Sequence, residues 1–211
     1  GGGGHGGYGG SRFLNALGGN ITSDSITAPT GLGSAGGSPG GLAGFGGGAL
    51  QITVRGALQL DGKISANGTT SSTTPNSGGG SGGTVWLTTP KLTGSGIISA
   101  NGGAANSLGG GGGGGRVAVW CGTNLFTGSV TARGGAGPNY GGAGTVFLNP
   151  ATEGIRSNAK LILDNGGVHG TNTGLFSLNI PVDLLITNGA SAAMVGNVGL
   201  PAFATWNSLS I

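Results

Sequence analysis

Apolar and polar residues alternate with period two in short runs along this chain, and the runs recur. In ALQITVR, from Ala49, the residues Leu50, Ile52 and Val54 fall in one phase and Gln51, Thr53 and Arg55 in the other. That is the pattern of a strand with one buried face. TVWLTT from Thr84, RVAVWC from Arg116 and TVFLN from Thr145 carry the same signal. In that phase Val117, Val119 and Cys121 point inward, while Trp86, Ala118, Trp120 and Phe147 point outward. A second apolar strand follows each first one after a short turn: KISANG at 63–68, IISANG at 97–102, SVTARG at 129–134 and LILDNG at 161–166. Ile64, Ile98, Val130 and Ile162 are spaced by 34, 32 and 32 residues. No segment has helical periodicity.

Each first strand is preceded by glycines: FGGG, GGGSGG, GGGGGGG and YGGAG. One unit therefore reads glycine run, strand, turn, strand, then Asn-Gly or Arg-Gly. A unit with two short strands cannot bury its apolar face alone and must stack on its neighbours, as solenoids do. The prediction is an all-β, right-handed parallel β-helix with like strands stacked on like; an antiparallel β-sandwich is the alternative. Residues 1–48 read as a glycine-rich N-terminal segment and 49–166 as the coils. Residues 167–211 read as a tighter continuation of the same solenoid, because Ile162 to Ile186 is only 24 residues.

The glycines decide how the coils are finished. There are 55 in 211 residues, and Gly109–Gly115 form an unbroken run of seven. Ordering seven glycines costs roughly 3–7 kcal/mol more than ordering seven alanines, so something must require their thinness. Ordered, polyglycine-II-like layers over Trp86, Trp120 and Phe147 meet that need. The other reading makes the runs exposed loops and places the aromatics in a contact between subunits. Asn67, Asn101, Asn165 and Asn188 each precede a glycine at the end of a strand. Asn and Gly tolerate left-handed corners, and stacked units would pile these amides into a ladder interrupted by Arg133.

Composition narrows the function classes. Only 6% of the residues are charged, and the net charge is +3. The eight Lys and Arg are scattered singly, so no nucleic-acid footprint is present. No apolar stretch is long enough for a membrane span. Cys121 is the single cysteine, expected as a buried thiol. Of the five carboxylates (Asp24, Asp61, Glu153, Asp164 and Asp183) only Asp164 and Asp183 are placed to approach each other. Polysaccharide-cleaving β-helices need two or three together. His5 and His169 stand alone and read as surface or turn residues, because metal ligands must converge. No catalytic, cofactor-binding or metal-binding residue is assigned. Thr53, Thr88 and Thr89 hint at a flat threonine face without a regular ladder, and Asn20 and Asn67 begin glycosylation sequons.

GGGGHGGYGG at 1–10, TAPTGLGSAGG at 27–37, GALQLDGKISANG at 56–68, GGGGGGGRVAVW at 109–120 and GGAGTVFL at 141–148 resemble glycine-rich repeats of very large secreted or surface-anchored proteins. These are adhesin-like and autotransporter-like chains, mostly bacterial. The match covers residues 1–150. It implies an extracellular β-solenoid with a structural or adhesive role, not an enzyme, and it carries over no catalytic residue. The chain starts inside a glycine run and stops within an apparent strand, so it reads as a processed chain or an excised piece of something longer. The expected partners are further copies stacked end to end, or flanking repeats of that longer chain, with surface glycans as a further class. A glycan- or ice-binding module is the alternative function, and a degenerate carbohydrate-active β-helix enzyme ranks below both.

Overall fold

The computed structural model describes residues 1–13, 16–71, 75–150, 159–176, 178, 180–195 and 206–210; of the last five, the side chains of Trp206, Asn207 and Leu209 are not described. The chain is all-β, with no helix among the described residues. Three coils stack in parallel. The first holds β1 (Ala49–Thr53), β2 (Ala57–Gln59) and β3 (Lys63–Ser65). The second holds β4 (Thr84–Gly94) and β5 (Ile97–Ser99), and the third β6 (Arg116–Phe126) and β7 (Ser129–Thr131). Then β8 (Thr145–Pro150) opens a fourth level. Ala49, Thr84, Arg116 and Thr145 lie in register, as do Ile64, Ile98 and Val130. The parallel ladders establish the solenoid and exclude the antiparallel sandwich.

The long strands extend further than the alternation implied, because both β1 and β2 pair with β4. The corner that ends β4 falls at Gly94, whose φ is 104°. A side chain there would also strike the carbonyl of Leu60, so glycine is required twice over. Within the coils Leu60, Val85, Leu87, Leu92, Ile98, Val117, Val119 and Cys121 form one buried core.

Where a third sheet would close each coil, the glycine runs stand instead, and they pack on one another. Gly111 and Gly114 donate to Asn139 and Gly142; Gly112 and Gly115 donate to Gly103 and Ala100; Gly113 donates to Gly3. Every third amide thus returns to the same neighbour, the signature of a helix with three residues per turn. The carbonyls complete the shell, accepting from Gly79 and Gly82, from Gly10, Gly6 and Gly7, and from Gly135. Gly78–Gly83 repeat the rule, donating by threes to 34–37, to 110–113 and to 66–69. A Cβ on Gly111, Gly112, Gly113 or Gly114 would strike the carbonyl oxygen of Gly135, Gly80, Gly7 or Ala132. Only glycine fits at these four positions, as at the axis of the collagen triple helix. The polyglycine-II layer is real.

It does not cover the aromatics. After β8 the chain reverses: β9 (Ala159–Asp164) pairs antiparallel with β8. β11 (Val182–Thr187) and β13 (Trp206–Ser210) then continue parallel to β9. A short pair, β10 (Thr173–Leu175) with β12 (Ala192–Met194), lies apart from this sheet. The outward residues Trp86, Ala118, Trp120 and Phe147 join Leu161, Leu163, Leu175, Val182, Leu184 and Ile26 in a second core. One sheet therefore carries a core on each face. Trp120 and Phe147 rings meet at 5.4 Å, and Trp120 Nε1 donates to the Thr27 carbonyl at 2.7 Å. The reversal corrects the reading of LILDNG as a fourth coil. Ile162 pairs with Val146 across β8 and closes the end of the first core instead of joining the Ile64–Ile98–Val130 stack.

The Asn ladder exists in altered form. Asn67 Oδ1 accepts from the Asn101 amide, and Asn101 Oδ1 from the Arg133 amide, each at 2.8 Å. Asn165 arrives from the reversed strand and accepts from Gly134 at 2.8 Å. Side chains bond to backbone here, not amide to amide. Of these asparagines only Asn188 has a left-handed backbone, at φ 51°. Gly68 and Gly102 are glycines because they enter the polyglycine lattice, where a Cβ would meet the carbonyls of Gly80 and Gly112.

Candidate functional site

His5 interrupts the N-terminal glycine run where its two arms, 1–4 and 6–10, meet in a turn. Its amide donates to Gly7 at 3.1 Å. The imidazole is fully buried, correcting the surface reading. Nδ1 is hydrogen-bonded to the Thr22 hydroxyl at 2.9 Å and Nε2 to that of Thr84 at 3.2 Å. Asp24 Oδ2 lies 3.7 Å from Nε2. That carboxylate is held in turn by the amides of Ser25, Thr30 and Gly31. Burial, reinforced by the charge of Arg116 and opposed by Asp24, draws His5 down to about 4. The ring is neutral at pH 7.

Arg116 begins β6 in the outward phase, in one row with Thr84 and Thr145. It is fully buried. Its NH2 donates to the Thr22 carbonyl at 3.0 Å, and its guanidinium carbon stands 5.8 Å from the Phe176 ring centroid. Nε and NH1 have no acceptor, and Thr145 Oγ1 likewise has no partner. Burial draws Arg116 down to about 10, with Asp24 opposing, so it remains charged. An imidazole beside a carboxylate and hydroxyls resembles acid–base machinery, but His5, Thr84, Arg116 and Thr145 are sealed from solvent. A sequence signal for the cluster existed: one histidine among eight glycines in GGGGHGGYGG, and a charged arginine in the outward phase shared by Trp86, Trp120 and Phe147.

The remaining candidates stay dispersed. In the β9–β11 register Asp164 lies opposite Thr187 and Asp183 opposite Lys160, so the two carboxylates sit at opposite ends of the pair. Asp164 accepts from Arg133 at 3.1 Å and from Asn188 at 3.0 Å, and Asp183 from Ser208 at 2.8 Å. Asp61 is exposed in its turn, where bonds from Gln59 and then Ser95 hold its carboxyl below the ordinary value. Glu153 lies outside the described residues. Cys121 is buried, and burial pushes its thiol up. His169 is exposed, as expected. Thr53 and Thr88 are register neighbours, whereas Thr89 is buried and donates to the Gly56 carbonyl at 2.8 Å. No flat threonine face forms from these three. Among the described residues no three of His, Cys, Asp and Glu converge on a metal position, and no helix is long and apolar enough to cross a membrane.

Two surfaces stay open. On the first coil, β1 leaves one edge without a strand partner among the described residues, and Leu32, Leu42, Phe45 and Leu50 are exposed along β1 and the segment leading into it. Separately, Tyr8, Asn20, Thr171 and Asn172 line a surface cavity of about 400 Å³. The chain matches no family model, no curated protein and no solved structure.

Proposed function

We propose that this chain is a non-enzymatic, extracellular structural or adhesive module, a rigid segment of a surface fibre or filament. The observation that carries the reading is the union of a polyglycine lattice with a solenoid whose first coil has a free edge among the described residues. An unpaired strand edge is a template for further strands, and exposed apolar residues beside it mark an interaction surface. A lattice with its backbone groups paired internally gives proteases few exposed segments to bind, which suits a scaffold outside the cell. Partners are then further copies or flanking repeats of a longer chain. Electron microscopy and light scattering of the purified chain test this. Concentration-dependent assemblies that Leu50→Lys with Phe45→Lys abolishes support it; monodisperse particles at all concentrations refute it. A second reading, glycan binding, is favoured by the cavity beside Tyr8, whose ring and neighbouring asparagines match the face and hydroxyls of a sugar. Glycan-array binding lost on Tyr8→Ala would select that reading.

A further inference from the structure

The orphaned donors of Arg116 mark a binding site for which the coils, the lattice and the proposed function have no use. A buried guanidinium is costly unless its N–H groups are paired. Here one N–H has a carbonyl acceptor, the Phe176 ring faces the guanidinium, and Nε and NH1 have none. The nearest carboxylate, Asp24, makes no ion pair with Arg116 and is occupied by three backbone amides. Thr145, the cross-strand neighbour of Arg116, adds a third unpartnered donor in the same row. Three unpartnered donors, two of them on a cationic guanidinium, on adjacent strands and sealed from solvent describe the chemistry of an anion receptor. Histidine contributes no opposing charge at pH 7, because His5 is neutral.

We propose that Arg116 Nε and NH1, with Thr145 Oγ1, bind one small monovalent anion of the chloride class, which joins the coil sheet to the segment around Thr22 as a structural ligand. Larger oxyanions do not fit the role, since three donors leave their remaining oxygens unpaired in a site sealed from solvent. The bound ion acts on stability by mass action. The probe is sodium chloride against sodium gluconate at equal ionic strength. Chloride should raise the thermal midpoint saturably, by about 3–5 °C at ten times its dissociation constant. Thr145→Val, which removes one donor with little change of shape, should weaken the chloride midpoint several-fold. Crystals soaked in sodium bromide should give an anomalous peak within hydrogen-bond distance of Arg116 Nε and NH1. Equal midpoints in the two salts, or a bromide-soaked crystal with only water or no peak at Arg116, overturn the proposal. The crystal readout needs no substitution, so it decides the matter even where Arg116 variants fail to fold. Failure of fibre assembly would leave this result untouched.

Discussion

Replacing Gly112 with alanine adds one methyl group at the centre of the polyglycine lattice, and the sign of its effect separates a packed layer from a loop. Gly112 has no left-handed φ, so its backbone accepts alanine. In a loop such a change stabilises by about 0.4–1 kcal/mol, because the unfolded chain loses freedom. In the lattice the new Cβ strikes the Gly80 carbonyl oxygen, which already accepts from the Gly103 amide at 2.8 Å. That obstacle is backbone and cannot rotate away. Overpacking costs about 1–3 kcal/mol, and disturbing the Gly103–Gly80 bond adds about 1 kcal/mol. The net destabilisation is roughly 1–4 kcal/mol, read as about 2–4 °C of melting midpoint per kcal/mol for a chain of this size. Gly48→Ala is the control: nothing lies within 4 Å of its new methyl group, so it should be neutral or stabilising by a few tenths to about 1 kcal/mol. Thermal melts followed by circular dichroism, with urea titrations for free energies, measure both. If Gly112→Ala melts at or above the parent, the lattice argument is wrong.

The buried imidazole makes stability depend on pH. His5 titrates near 6.5 when unfolded and near 4 when folded, so between those values the unfolded chain binds more protons. Stability is complete above pH 6.5 and falls by about 3 kcal/mol as pH drops toward 4; His5→Gln should flatten that slope in urea titrations at stepped pH. Asn101→Ala removes the acceptor of the Arg133 amide and should cost about 0.5–1.5 kcal/mol, with faster hydrogen exchange at Arg133 as the local readout. Trp120→Phe keeps the ring packing against Phe147 but loses the bond to Thr27, so limited proteolysis should cut within 22–30 sooner than in the parent. Cys121 should react with a thiol reagent only at the rate of global unfolding, since its thiol is buried and its pKa raised; rapid labelling in native buffer would contradict the described core.

Much of the coil was legible because its signals are local and recur. Alternation placed Val117, Val119 and Cys121 in one core and Trp120 and Phe147 on the other face, and the structure keeps both assignments. The fourth repeat misled because LILDNG has the same alternation as a coil strand, and alternation carries no strand direction. That His5 and Arg116 meet was opaque for a different reason. They are more than a hundred residues apart in the chain, and nothing near either one announces the other.

The sequence by itself determined that the chain is β-structure, and it favoured parallel stacking over an antiparallel sandwich and ordered glycine layers over exposed loops. Those follow from periodicity and from the absence of side chains. Only the tertiary structure decided what the glycines pack against, since the amides of Gly111–Gly115 find their partners on three distant segments, around residues 100–103, 139–142 and Gly3. It alone decided that the chain reverses at β9, turning the outer face of one solenoid into the inner face of a second core. It also decided that a histidine and an arginine would share one dry interior. Contacts of that range depend on how the sheet edge is met, which no local pattern encodes.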